Sequence, residues 1–263
     1  MNFLEALFLG LIQGITEFLP ISSSGHLKIA QELLGTDPEQ SLKFTIVVHG
    51  ATVLASIIVF WKTITGLFSG VFKFKWNEST QYTSKIFISM IPIALVGFLL
   101  KTEVKDIYEF PGTLLVGFML IVTASVLLFA WKSKDGKREI SFRDSLIIGC
   151  SQAVAAILPG LSRSGVTIGT ALILKIDRAK AAQFSFIMVI IPILGEIILD
   201  ILKGSEVTAD TTSLLVLITG FVSAFITGYL ACKFVLKIVM RGKIQYFAIY
   251  CAVVGILCML FDM

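Results

Sequence analysis

Apolar residues fall in six blocks of about 17–21 residues, each long enough to cross a hydrocarbon layer as a helix. The blocks run roughly over 43–61, 84–100, 113–131, 183–202, 213–233 and 244–262. Two further apolar stretches, 3–34 and 145–175, are each interrupted by a proline and a cluster of polar residues. They make poor spans, and each reads as two half-helices folded back on one side of the membrane. The pattern predicts an all-α polytopic membrane protein with six spanning helices and two re-entrant helix hairpins.

The first interruption is Gln13 to His26, which carries a carboxylate, a proline, three successive serines, a glycine and an imidazole. The helix beginning near Phe3 should stop by Leu19, because the residue before a proline is pushed out of the α region. Ser22, Ser23 and Ser24 are N-cap residue types, so a second short helix should start near Gly25. A helix broken inside hydrocarbon is tolerated only where its freed backbone groups face protein or a water-filled cavity.

The second interruption repeats the first. Gly10 matches Gly149, Gln13 matches Gln152, Leu19-Pro20 matches Leu158-Pro159, and Ser23 matches Ser162. With one residue inserted, Ser24-Gly25 then matches Ser164-Gly165, and further on Lys43-Phe44-Thr45 lines up with Gln183-Phe184-Ser185. The chain therefore reads as one integral membrane domain, 1–263, built from a repeat of about 1–131 and another of about 145–263.

Composition agrees with this. Of 263 residues 56% are hydrophobic and 15% charged, and the mean hydropathy of +0.90 lies far outside the soluble range. The net charge of +4 calls for no nucleic-acid partner, because the basic residues gather in a few loops beside the spans. Cys150, Cys232, Cys251 and Cys258 sit in apolar stretches without a C-x-x-C pair and read as small core residues. The opening Met-Asn-Phe-Leu-Glu lacks a basic n-region, so no cleavable signal is expected.

Charge sets the expected topology. Lys62, Lys73 and Lys75; Lys132, Lys134, Lys137, Arg138 and Arg143; Lys175, Arg178 and Lys180; and Lys233, Lys237, Arg241 and Lys243 fall on one face if both broken stretches are re-entrant. The positive-inside rule makes that face cytoplasmic. Glu32, Asp37 and Glu39, then Glu103, Asp106 and Glu109, then Glu206 and Asp210 fall opposite. Trp61-Lys62 and Trp131-Lys132 end two spans as interface anchors. The halves would have opposite orientation, an inverted repeat whose site lies where the broken helices meet, near the midplane.

The two hairpins offer different chemistry. Gln13 and Glu17 share a helix face. Glu17 lies in the last turn, where free carbonyls already present negative charge. A cation such as Mg²⁺ or Ca²⁺ would suit that place; protonation, or a hydrogen bond to neighbouring backbone, is the plainer alternative. Ser22, Ser23 and Ser24 with Gly25 and His26 open the next half-helix, a ready anion site. A serine within reach of an imidazole can act as an activated nucleophile, whereas capping alone would need one serine and leave His26 unexplained. In the second hairpin Ala156 stands in the place of Glu17, and Arg163 lies in the turn Pro159-Gly160-Leu161-Ser162-Arg163-Ser164-Gly165. An intramembrane arginine wants an oxyanion, best a phosphate gripped bidentately; an ion pair with Glu17 is the alternative. Together the hairpins would make a pyrophosphate clamp. His49 lines the cavity or packs within a helix, and Glu196 with Asp200 is a weaker candidate pair.

These residues strongly resemble the undecaprenyl-diphosphate phosphatases of the bacitracin-resistance type, the UppP/BacA family. The likeness rests on Gln13-x-x-x-Glu17 running into Pro20-x-Ser22-Ser23-x-Gly25-His26, and on the turn Pro159 to Gly165, and it covers essentially the whole chain. One position departs from the acidic form of the motif: Gln13 stands first, which shifts any charged role to Glu17. The resemblance implies hydrolysis of a polyprenyl diphosphate lipid with a divalent metal, Mg²⁺ or Ca²⁺, recycling a carrier for cell-wall polymers in the bacterial inner membrane, with a homodimer as a candidate assembly. It implies Ser23 as nucleophile, His26 as its assisting base or acid, Glu17 as metal-binding or basic carboxylate, and Arg163 with Ser162 and Ser164 on the diphosphate. Gln13, Ser22, Ser24, Gly160, Gly165 and His49 complete the expected substrate-binding set. The rival reading is a transporter or flippase for a phosphorylated lipid or anion, since inverted repeats are a transporter architecture; a purely structural protein would leave Glu17, His26 and Arg163 unexplained.

The charge distribution generates a test of sidedness. A membrane-impermeant thiol reagent applied to intact cells should label Cys introduced at Asp37 and spare Cys introduced at Lys137; the reverse pattern would invert the topology.

Overall fold

The computed structural model describes residues 1–36, 38–99, 113–133, 136–202 and 213–261. They form helices α1 (Phe3–Phe18), α2 (Ser23–Leu34), α3 (Pro38–Val59), α4 (Trp61–Val71), α5 (Glu78–Leu99) and α6 (Leu114–Lys132), then α7 (Phe142–Ile157), α8 (Arg163–Ile173), α9 (Arg178–Met188), α10 (Ile190–Leu202), α11 (Leu214–Met240) and α12 (Gln245–Leu260). Among the described residues there is no β-strand, only an isolated bridge between Arg138 and Ile176.

Four segments are long and apolar enough to cross a membrane: Glu78–Leu99, Leu114–Lys132, Arg178–Leu199 and Leu214–Met240. Lys43–Val59 with Trp61–Val71 would be a fifth, bent by 73°. The sequence pattern treated 62–83 as loop; instead the chain turns at Phe60 and continues as α4. Gln245–Leu260 is apolar but shorter. Large apolar side chains such as Phe8, Phe118, Phe129 and Phe234 are exposed around the bundle, which is where lipid would lie.

Both interruptions are helix breaks. Asn2 and Glu5 close a capping box at the start of α1, and Ser141 with Asp144 does the same for α7. Each of these helices then stops just before a proline, at Phe18 and at Ile157. The second half-helices begin two residues earlier than expected for α2, and at the turn arginine for α8, because Ser22 and Ser162 are the caps; their Oγ atoms accept from Gly25 and Gly165 N–H at 3.2 and 3.0 Å. This corrects the repeat register. Ser22 corresponds to Ser162, and Ser23 to Arg163, because the inserted residue precedes the cap. It is Gly160, whose φ of 90° is open to glycine at no steric cost.

Small residues let the broken helices approach their neighbours. α1 packs most closely on α11, with Gly10 and Gly14 against Gly220, Ser223, Ala224, Thr227 and Gly228. Its counterpart α7 packs on α5, where Gly149 lies against Ser89. Such small-residue seams supply van der Waals contact where lipid removes the hydrophobic drive for helix association. Between these arms sits the core, with Phe18 edge-on to Phe186 at 5.7 Å and Tyr82 edge-on to Phe184 at 5.8 Å.

The basic loops are joined by contacts. Trp76, after α4, stacks on Phe142. Arg138 bridges to Ile176, and its guanidinium reaches Asp144 at 3.2 Å and the Leu174 carbonyl at 2.8 Å. Lys180 pairs with Glu139, and the Arg178 guanidinium lies against Gly242. The described residues around 72–77, 136–141, 174–178 and 241–243 therefore gather together. The acidic stretches 103–109 and 206–210, with Asp37 and Lys134, lie outside the described residues, as do the side chains of Glu39, Glu196 and Asp200.

The α1–α11 seam makes a stability prediction. A Cβ on Gly14 would sit 2.0 Å from Thr227 Oγ1, 2.5 Å from the Ala224 carbonyl oxygen and 2.8 Å from Gly228 N. Gly14→Ala should lower stability by about 1–3 kcal/mol, as overpacking does. Gly66 in α4 has nothing within 4 Å of such a Cβ, so Gly66→Ala should be neutral or slightly stabilising. Thermal unfolding in detergent reads both, and equal effects would mean the seam has room to spare.

Candidate active site

The tips of the two breaks meet inside the bundle. Ser164 Oγ donates to the Leu19 carbonyl at 3.2 Å, and a Cβ on Gly25 would stand 3.5 Å from Gly160 Cα. Beside this junction opens a cavity of about 940 Å³, lined from the first break by Glu17, Ser22, Ser23 and Ser24 and from the second by Ser162, Arg163 and Ser164. His49, from α3, lines it too.

Glu17 is the hub. Its Oε2 accepts from Ser23 Oγ at 2.7 Å and from Gln13 Nε2 at 2.8 Å, with His49 Nε2 at 3.7 Å. Its Oε1 faces Arg163 Nη2 at 3.4 Å. The Glu17 side chain is only 8% exposed, so its charge survives by these contacts rather than by water. The ion pair with Arg163 is thus present. It engages one guanidinium nitrogen and leaves other N–H donors for a ligand. His49 donates Nδ1–H to the Thr45 carbonyl at 2.8 Å, since a carbonyl only accepts, and so turns Nε2 toward Glu17.

Ser23 owes its aim to the residue before it. Ser22 has φ 71° and ψ 92°, a strained place for a residue with a side chain. Two bonds hold it there: Gly25 N–H to its Oγ, and His26 Nδ1–H to its carbonyl at 2.7 Å. The other nitrogen of His26 takes the Tyr250 hydroxyl at 2.8 Å, with the two rings stacked. His26 therefore faces α12 and is not part of the cavity wall. The serine that donates to a base does so to a carboxylate, and the imidazole braces the peptide that precedes it.

The remaining expected residues divide in two. Ser22 and Ser24 reach the cavity, Ser24 as an exposed hydroxyl 3.4 Å from Ser22 Oγ, while capping falls to Ser22. Ser162 caps α8, its hydroxyl donates to Ser164 Oγ at 3.3 Å, and its N–H donates to Thr123 Oγ1 at 3.2 Å. Gln13, Gly160 and Gly165 stand behind the wall and shape it. Gln152 and Ser185 line the cavity without having been singled out from sequence; their signal was the pairing of Gln152 with Gln13 and of Ser185 with Thr45. Chemically the site offers a serine hydroxyl bonded to a carboxylate, with an arginine and two helix N-termini aimed at the same space, the equipment for attack on a phosphorus centre.

Comparison with known proteins gives the same direction. The family model described as "Bacitracin resistance protein BacA" matches residues 6–257. A protein of Bacteroides fragilis named undecaprenyl-diphosphatase is 53% identical over 260 residues, 97% of each chain. One of Christiangramia forsetii with the same name is 48% identical over 263 residues, covering 99% of this chain and 98% of that one. A third, of Methanosphaera stadtmanae, is 36% identical over 275 residues, 98% and 97% of the two chains.

The hub predicts a coupled pair. Arg163→Met should lower thermal stability by about 1–3 kcal/mol by stranding a buried carboxylate, and Glu17→Gln added to it should recover part of the loss. Simple additivity of the two losses in a double-mutant cycle would show that the pair carries no mutual energy.

Proposed function

The chain belongs to the bacitracin resistance protein BacA family, and from that membership we propose that it hydrolyses undecaprenyl diphosphate to undecaprenyl phosphate and inorganic phosphate. The reading fits a family named for bacitracin resistance and relatives named undecaprenyl-diphosphatase. The single observation that carries it is Ser23 Oγ donating to Glu17 Oε2 at 2.7 Å in a cavity shared with Arg163.

Glu17 takes the hydroxyl proton as Ser23 Oγ bonds to the terminal phosphorus and the bond to the bridging oxygen breaks. Arg163 holds the charge that gathers on the phosphate oxygens. Water then displaces Ser23 from phosphorus, and Glu17 returns its proton to the departing Oγ. This gives the proton to Glu17 rather than to His26, whose two nitrogens are bonded to Ser22 and Tyr250.

A divalent metal, Mg²⁺ or Ca²⁺, fits the oxygen donors here. Glu17 would hold it, and Gln13, which gives Nε2 to Glu17 and keeps Oε1 buried without a partner, would join it with its amide turned over, an oxygen pair that a hard cation prefers. Among the described residues no three His, Cys, Asp or Glu side chains cluster to hold an ion, so the diphosphate would complete the shell. Bound there, the ion would neutralise phosphate charge.

The proposed architecture is six spans in two inverted repeats, the hairpins entering from opposite faces. It is supported by α7 beginning and α8 ending beside the same Arg138–Ile176 bridge, and by α1 packing on α11 as α7 packs on α5. With the basic loops inside, the Ser23 hairpin enters from outside, and the cavity opens to the outer face of the bacterial cell membrane.

Phosphate release from undecaprenyl diphosphate by the detergent-purified protein is the test. Ser23→Ala should lose on the order of 10³-fold or more, Ser24→Ala far less, and chelation should abolish release until Mg²⁺ or Ca²⁺ is restored. A wild-type protein releasing none would be a carrier, Ser23→Ala at near-normal rate would move the attack to water, and activity surviving chelation would remove the metal.

A further inference from the structure

Both broken helices keep a glutamine one turn before the position that Glu17 occupies in the first. In α1, Gln13 donates to Glu17 at 2.8 Å. In α7 the corresponding residues are Gln152 and Ala156, so this glutamine has no carboxylate to meet. Gln152 is fully buried, and neither its Nε2 nor its Oε1 has a hydrogen-bond partner among the described residues. Ser185 of α9, 3% exposed, likewise has an unpartnered Oγ. Both side chains line the cavity that holds Arg163. An amide and a hydroxyl dried out in an apolar bundle are strongly unfavourable unless a ligand completes them.

From this we infer that Gln152 and Ser185, with the free N–H donors of Arg163, form a second phosphate-oxygen subsite, and that it takes the lipid-linked phosphate while the terminal phosphorus faces Ser23. The inference rests on the diphosphatase reading above. The first break supplies its own anion and surrounds it with donors. The second keeps equivalent donors and deletes the anion, so a ligand oxyanion occupies the place of the missing carboxylate. The donor set fits that ligand. Gln152 and Ser185 are neutral and bring no repulsion, Ala156 leaves room, and the planar guanidinium can engage two oxygens at once. Several other hydroxyls of the wall are committed within the protein, Thr167 donating to the Arg163 carbonyl at 2.8 Å and Ser56 to the Thr52 carbonyl at 3.1 Å, whereas Gln152 and Ser185 are buried with polar atoms that have no partner among the described residues.

Binding of farnesyl monophosphate and of inorganic phosphate to the full-length protein in detergent, measured by titration calorimetry, separates the two sources of a phosphate group. Gln152→Met should weaken farnesyl monophosphate about tenfold or more, the loss expected for a hydrogen bond to a charged group, and leave inorganic phosphate unchanged. Ser185→Ala, which deletes one buried hydroxyl, should weaken the same ligand several-fold and keeps the test open if Gln152→Met does not fold. Unchanged farnesyl monophosphate binding in either folded variant would overturn the subsite. A loss confined to inorganic phosphate would overturn its assignment to the lipid-linked group. Because binding is read without turnover, the two readings fail separately. Farnesyl monophosphate held through Gln152 in a wild type that releases no phosphate would sink the hydrolase and leave the subsite. Normal hydrolysis with normal binding in both variants would sink the subsite alone.

Discussion

A carboxylate buried among apolar helices is the constraint around which this structure is arranged. Glu17 can stay charged only if its desolvation is offset by donors and a counter-charge. Three side chains supply these, Gln13 from its own helix, Ser23 from the next and Arg163 from beyond the second break, with the His49 ring lying beside them. Ser23 and Arg163 come within reach of Glu17 only because both helices break where they do. Breaking them exposes carbonyls and N–H groups, and the same turns absorb that through caps from Ser22 and Ser162 and the bond from Ser164 to Leu19.

The likeness of the two helix breaks gives this arrangement its economy. Both second half-helices begin with a serine cap, and the residue that follows each cap is thrust toward the cavity. In one hairpin that residue is Ser23 and in the other Arg163. A shared backbone device therefore presents a serine hydroxyl from one side and a guanidinium from the other. The difference between the turns is small in sequence, a glycine inserted before one cap and an alanine in place of one glutamate, and large in chemistry.

His26 shows how rigidity is supplied at such a point. A serine at positive φ is unfavourable, yet this geometry aims the next hydroxyl at Glu17. The imidazole fixes the Ser22 carbonyl, and Tyr250 on the last helix fixes the imidazole. The strain at Ser22 is thus held by contacts that extend to the end of the chain.

Hydropathy, proline and capping chemistry act locally, so the membrane class, both helix breaks and the polar residues Glu17, Ser23 and Arg163 within apolar stretches were legible in the chain. Lipid length sets the apolar blocks, a proline removes a helical conformation from the residue before it, and an intramembrane charge is too costly to be incidental. Which residues meet was settled by packing. His26 and Ser23 are three apart in one helix, but side-chain direction sends the ring to Tyr250, more than two hundred positions away. His49 came beside Glu17 from another helix, Ser22 proved to be the cap among the three serines, and α4 emerged between two apolar blocks. The unsatisfied donors of Gln152 and Ser185 were equally hidden. Whether a buried polar group has a partner depends on every element packed around it, and no local pattern in the chain records that.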